Sequence, residues 1–230
     1  MIGAYSIGLL IIRPIDYENS FETRNLDDFQ GDVMGFAWVK FEFPMGTDKP
    51  CLPVRADKES LEFPRIGESY CTAPELALAK RMGAVIEIKY GVIFPWLDPN
   101  QRIFEPFVRE IRKLRSEHPK GSVEEQYAKL LGNSLYGKTA QGLKEKTAFD
   151  TGEMTTHKLP ESGITNGMMA AFVTGFIRAV MGEIMQSIPP HRKVISCTTD
   201  GILTDAHPDE LDYTGELTQR YITLLERVSS

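Results

Sequence analysis

Hydrophobic and polar positions alternate along residues 35–44, "GFAWVKFEFP", which predicts a strand that stops at Pro44. A second strand is predicted over residues 84–94, "AVIEIKYGVIF". Between them, "KPCLPVR" and "LEFPRIGESY" are short and punctuated by proline and glycine, as strands joined by turns would be. Thr72 has an N-cap side chain with Glu75 three residues on, so a helix starts there, carries Pro74 in its first turn and ends at Gly83. Residues 105–118 and 123–135 then read as two helices. The Pro119-Lys120-Gly121 turn is short enough to make them an antiparallel pair. A long apolar helix follows over about 165–187, ended by Pro189-Pro190. The β-branched runs "KVISC" and "GILTD" flank Thr198-Thr199-Asp200 and predict a hairpin. The fold class is α+β: an antiparallel sheet with helices, a helical pair, and a small β-α-β insert.

Composition narrows the function classes only slightly. Hydrophobic content of 42% and charged content of 25% are those of a globular protein with a real core. Cys51, Cys71 and Cys197 are odd in number and far apart, which argues against a disulfide framework or a zinc site and fits a reducing compartment better. The opening "MIGAYSIGLLII" lacks the basic start and cleavage site of a signal peptide. The stretch "ITNGMMAAFVTGFIRAVMGEIM" carries Asn166, Arg178 and Glu183, so its uncharged run is too short to span a bilayer, and no membrane association is expected.

The net charge of −6 conceals a pattern. Residues 16–32 hold six acids and one base, and residues 200–216 hold six acids and no lysine or arginine. Residues 109–146 hold nine bases against five acids. Ordinary surface charge accounts for this. So would a basic stretch for phosphates beside an acidic pole for divalent cations.

Candidate chemistry concentrates in "YAKLLGNSLYGKTA", residues 127–140. Lys129, Asn133 and Tyr136 are spaced i, i+4, i+7, which puts an ammonium, an amide and a phenol on one helix face. That row suits a nucleotide, with charge for the triphosphate and a flat polar surface for the sugar and base. An amphipathic helix closed by Gly137 explains the same residues without a ligand.

Here the chain resembles the family B DNA polymerases, specifically the protein-primed phage, plasmid and organellar type. "KLLGNSLYGK" is similar to their fingers motif Lys-x-x-x-Asn-Ser-x-Tyr-Gly, with Lys129, Asn133, Ser134, Tyr136 and Gly137 all in place. The resemblance implies that Lys129 contacts the incoming triphosphate and that Asn133 and Tyr136 line the nascent base-pair pocket. It puts Ser134, Gly137 and Thr199 against DNA. Arg115 and Lys120 would be further triphosphate-binding bases. "VISCTTDGILT" looks like the palm hairpin Asp-Thr-Asp-Ser, keeping the second aspartate as Asp200, with Thr198 and Gly201 as departures. An aspartate at a hairpin tip is also common turn chemistry. "GAYS", Gly3 to Ser6, looks like the end of the other palm motif. Tyr5 is then the steric gate under the deoxyribose, and the motif's aspartate falls just before Met1, so the resemblance implies a fragment. Tyr5 as a plain aromatic of an apolar segment is the alternative.

What the resemblance implies is a DNA-directed DNA polymerase working on primer-template DNA and deoxynucleoside triphosphates, with a terminal protein as a further primer. It implies two Mg²⁺ ions, with Asp200 as both catalytic residue and metal ligand. Glu18, Asp205 or Asp209 would be substitute carboxylates, though their spacing favours none of them. The expected organisation is palm and acidic loop over 1–34, an insert over 35–104, fingers over 105–148, and palm with the metal-binding hairpin over 149–230. A catalytically inactive nucleic-acid-binding remnant of a polymerase stays open, as does an unrelated metal-dependent hydrolase built on Asp200.

Overall fold

The computed structural model describes residues 3–56, 60–143, 146–198 and 200–229. The alternation at 35–44 becomes strand β2 (Met34–Glu42), which buries Ala37, Val39 and Phe41 on one face and exposes Trp38, Lys40 and Glu42 on the other. β2 lies inside a four-stranded antiparallel sheet of order β1-β6-β2-β5, with β1 Phe21–Glu22, β5 Ile66–Thr72 and β6 Val85–Phe94. The register sets Trp38 opposite Tyr70 on one side and Tyr90 on the other. A two-residue pair, β3 (Val54–Arg55) with β4 (Leu61–Glu62), lies beside β5.

Thr72 ends β5 and caps helix α2 (Ala73–Arg81). Its backbone N–H and its hydroxyl both donate to Glu75 Oε2 at 2.9 Å. Gly83, at φ +79°, lets the chain turn back into β6. The long apolar run is helix α5 (Gly167–Ser187), whose Asn166 side chain accepts from Met169 N–H. By length and composition α5 could cross a membrane, but here it is a core helix. Phe172, Val173, Phe176, Ile177 and Val180 are buried among short helix α1 (Ala4–Gly8), α2 and C-terminal helix α6 (Glu216–Arg227). Its two charges are paired, Arg178 with Glu75 and Glu183 with Arg81, each at 2.7 Å. Phe36 packs edge-on against Phe172, so α5 covers one end of the sheet face that carries Trp38.

Helices α3 (Glu105–Ser116) and α4 (Val123–Thr139) pair side by side around the predicted turn, where Gly121 has φ +89°. Their contact is close because Gly132 faces Ile111. α4 does not stop at Gly137, as the motif reading expects. Nothing in Lys138-Thr139 opposes helix. Thr139 is fully buried, its hydroxyl donates to the Tyr136 carbonyl, and the chain turns away later, at Gly142 with φ +79°. An exposed hairpin, β7 (Thr147–Asp150) and β8 (Thr155–Lys158), occupies a stretch whose sequence carries no clear period.

The hairpin around Asp200 forms as β9 (Val194–Thr198) and β10 (Gly201–Thr204). Among the described strands it is a separate two-stranded ribbon, while the four-stranded sheet is built from β1 and the strands of the predicted insert. The sheet's edges are β1 and β5, β3 lies along β5, and the ribbon leans on α5 instead.

Candidate functional site

Three elements meet where the N-terminal segment crosses α4. Ser6 donates its hydroxyl to the Gly132 carbonyl at 2.8 Å, which docks α1 on the middle of α4. Gly3 lies so close to Asn133 that a Cβ there would sit 2.9 Å from the amide Oδ1. One turn along, the Tyr5 and Tyr136 rings stack with centroids 4.5 Å apart and planes 26° from parallel. Tyr136 is fixed in turn by Thr174 of α5, with its hydroxyl 2.6 Å from Thr174 Oγ1. Thr174 gives its own proton to the Ala170 carbonyl, so Tyr136 is the donor.

Asp200 stands exposed at the β9–β10 tip, close enough to both Tyr5 and Tyr221 of α6 to oppose their ionisation. Burial is the larger cause in each case. Tyr136 and Asp200 add to it at Tyr5, and Arg178 opposes it, with a net rise to about 12. Tyr221 also rises to about 12. The unfolded chain releases these two protons near pH 10, while the folded chain keeps them until about 12. Stability contributed by these groups is therefore complete below pH 10 and falls as the pH rises through 10–12. Tyrosinate absorbance followed alongside unfolding should show Tyr5 and Tyr221 titrating late, with Tyr90, whose hydroxyl is held by Glu22, also raised, and all three becoming ordinary on unfolding.

The other predicted residues spread outward from this centre. Lys129 is exposed one turn before Asn133 on α4. Lys120 is exposed at the helix turn and lines a cavity of about 490 Å³ with Arg112, His118 and Tyr221. Arg115 is engaged within the helix pair. Its guanidinium clamps Glu125, which also accepts from Gly121 N–H, and this bonding holds the Glu125 carboxyl below the usual range. Ser134 is exposed and bonds back to the Leu131 carbonyl, and Gly137 faces open space. Thr199 lies outside the described residues.

Among the described residues no group of three or more metal-ligating side chains comes together. Asp205 is occupied at the ribbon's base, accepting from Lys193 N–H at 2.7 Å, and Asp209 pairs with His207 at 3.2 Å. The acids of residues 16–32 also have local partners: Asp27 with Lys80, and Asp32 with both Arg13 and Arg220. The described residues thus do not by themselves fit a two-ion centre, which needs several hard oxygen ligands.

Residues 12–199 match the family of DNA polymerases described as type B, organellar and viral. The chain belongs to this family. The match contains the whole Lys129–Gly137 motif. It begins after Tyr5 and ends one residue before Asp200, so the placing of those two rests on the geometry. The chain is 47% identical over 235 residues to the primer-independent DNA polymerase PolB of Escherichia coli, covering 99% of this chain and 27% of that protein. Its fold is similar to Phi29 DNA polymerase at a TM-score of 0.60 and 21% identity, covering 90% of this chain and 38% of that one. It is also similar, at a TM-score of 0.57 and 16% identity, to Phi29 DNA polymerase complexed with primer-template DNA and incoming nucleotides. That match covers 87% of this chain and 37% of the polymerase.

Several residues at the centre were not legible as site residues. Thr174 and Arg178 sit inside an apolar helix, where their four-residue spacing is the only sign that they share a face. Glu75 reads as a helix cap and also turns out to hold Arg178. Tyr221 carries no motif.

Proposed function

We propose that this chain forms the nucleotide-binding centre of a template-directed DNA polymerase. The observation that carries this reading is the stacking of Tyr5 on Tyr136 of the Lys-x-x-x-Asn-Ser-x-Tyr-Gly helix, beside Asp200. Three segments far apart in sequence converge there with the chemistry a deoxynucleotide needs. In this reading α3 and α4 are the fingers, and α5 with the Asp200 ribbon belongs to the palm. Lys129 and Lys120 offer charge to the triphosphate, and Arg115 does so from its pair with Glu125. Asn133 and Tyr136 border the base pair, and Tyr5 lies under the sugar. Ser134, Gly137 and Thr199 approach the DNA. The partners are primer-template DNA, deoxynucleoside triphosphates and, by the resemblance to protein-primed enzymes, a terminal protein. The family's chemistry uses divalent ions, and Mg²⁺ is the ion proposed, with Asp200 as the ligand this chain contributes.

A second reading, nucleic-acid binding without catalysis, draws on one observation: Thr198 stands where the family hairpin has its first aspartate, so the hairpin keeps one carboxylate of the motif's two. Nucleotide binding tests the shared part of both. Lys129→Ala is expected to weaken deoxynucleoside triphosphate affinity about tenfold, since a charge-assisted phosphate contact is worth roughly 1.5–3 kcal/mol. Lys138→Ala, further along the helix and bonded to Gln141, should change it little. Fluorescence anisotropy of a labelled nucleotide makes the comparison, and unchanged affinity in Lys129→Ala removes this lysine from the site.

A further inference from the structure

A knot of positive charge sits where the N-terminal segment, the root of α3 and helix α6 meet. Asp32 pairs there with Arg13 and Arg220, and Glu105 pairs with Arg109 and Arg227. Arg102 stands just before α3, and its Nη1 donates to the Ile11 carbonyl at 3.3 Å. Arginine thus outnumbers its carboxylate partners, and part of the surplus is buried. Arg13 is only 3% exposed, with its guanidinium 5.0 Å from the centre of the Trp96 ring. Burial, with repulsion between the arginines, lowers Arg13, Arg102 and Arg220 each to about 10, so all three stay charged at neutral pH. Among the described residues, Nε and Nη1 of Arg13 and Nε of Arg102 are buried without a hydrogen-bond partner. A buried charge with open donors is costly unless something of opposite sign meets it.

We propose that the open donors of Arg13 and Arg102 bind a small inorganic anion of chloride size. Neither residue belongs to the nucleotide centre, so the inference does not rest on the polymerase reading above. Charge selects an anion, because hydrogen bonds from guanidinium to a negative ion are among the strongest a protein makes. Burial selects a small one, since Arg13 is too enclosed to admit a peptide, a nucleotide or a DNA strand. The shape of the donor set selects a spherical one. Asp32 takes Nη2 of Arg13, and the open Nε and Nη1 do not share an edge of the guanidinium. They therefore cannot hold one oxyanion in a two-pronged fork, whereas a halide needs only converging single donors. The place matters for the fold. Ile103 N–H already donates to the Ile12 carbonyl at 3.3 Å, and an ion at Arg13 and Arg102 would fasten the N-terminal segment to the root of α3.

Thermal unfolding of the chain in sodium chloride, with sodium gluconate holding the ionic strength constant, tests the site. The melting temperature should rise saturably, by about 5–10 °C at a hundredfold excess of chloride over its dissociation constant. Arg102→Gln removes one donor and one charge and should weaken chloride about tenfold. Asp32→Asn leaves more positive charge unmet, so it should melt lower without chloride and respond to it more strongly. Arg65→Gln, whose partner is Glu42 on the large sheet, should respond like the parent. A second measurement does not depend on how the arginine variants fold. Trp38→Phe leaves Trp96 as the only tryptophan. Bromide in chloride's place would lie beside Trp96 and should quench it saturably, and chloride should reverse the quench by competition. A melting temperature that follows ionic strength whichever anion supplies it, and does so equally in Arg102→Gln, overturns the site and leaves only screening of surplus charge. Bromide quenching that stays linear and indifferent to chloride overturns it as well. A rise with phosphate and none with chloride overturns the spherical occupant.

Discussion

Asp200→Asn is expected to reduce DNA synthesis at least a hundredfold in a polymerase where this chain replaces the matching 235 residues of E. coli PolB. The substitution keeps shape and hydrogen bonding and deletes one negative charge. Asp200 is exposed at the tip of a ribbon, so the fold does not depend on it, and loss of stability would not explain the result. The magnitude comes from electrostatics. Asp200 would act by holding the cation that offsets the developing phosphate charge, and losing one such preorganised stabilising element typically costs about 10²–10³ in rate. Among the described residues no group of three or more metal-ligating side chains forms that could take its place. Asp205→Asn is the matched control. Asp205 accepts a backbone N–H at the ribbon's base, an amide oxygen can do the same, and the rate should stay near that of the parent chimera. Incorporation of labelled nucleotide on a defined template gives the rates. An Asp200→Asn chimera within a few-fold of its parent would remove Asp200 from the chemistry and leave the binding-only reading of the chain.

The parts of this molecule that the sequence made legible are those where one local rule decides the outcome. The Thr72–Glu75 cap, the alternation of β2 and the β9–β10 turn each depend on neighbours within a few residues, and each forms as read. The Lys129, Asn133 and Tyr136 row was legible because helical spacing alone puts the three on one face. What could not be read is whatever depends on contacts between distant segments. No pattern in residues 3–6 announces that Tyr5 will stack on a ring 131 positions away, and only its likeness to a motif pointed there. That the Asp200 ribbon leans on α5 and stands apart from the four-stranded sheet is likewise a matter of contacts between distant segments. Gly137 misled for a different reason. A glycine closes a helix where the chain needs φ > 0, and here that need arises at Gly142.

Gly175→Ala and Gly137→Ala, the same change in two helices, are expected to shift stability in opposite directions. In an open helix interior alanine gains roughly 0.5–1 kcal/mol over glycine by restricting the unfolded chain and favouring helical dihedrals. Gly137 faces open space on α4, so its variant should show that gain, about 1–4 °C in melting temperature for a chain of this size. Gly175 is the point where α5 passes over the start of α2. A Cβ there would meet Thr72 Oγ1 at 2.1 Å, Thr72 Cγ2 at 2.6 Å and Glu75 Oε2 at 2.8 Å. Neither side chain can swing aside cheaply. Thr72 and Glu75 are bonded to each other in the cap, Glu75 is buried, and its other oxygen holds Arg178. Relief requires α5 to move off α2 or the cap to open. Overpacking costs about 1–3 kcal/mol, and a lost cap adds about 1 kcal/mol. Against the helical gain, a net loss of roughly 2–3 kcal/mol remains, or about 4–12 °C. Because Arg178 and Thr174 sit on the same helix, a shifted α5 would also loosen Tyr136, and the pH 10–12 titration of Tyr5 should move back toward 10. Thermal unfolding and tyrosinate absorbance read the two effects separately. A Gly175→Ala protein as stable as the parent would mean that α5 does not cross α2 at this distance, and the placement of Thr174 and Arg178 beside the Tyr5–Tyr136 stack would go with it.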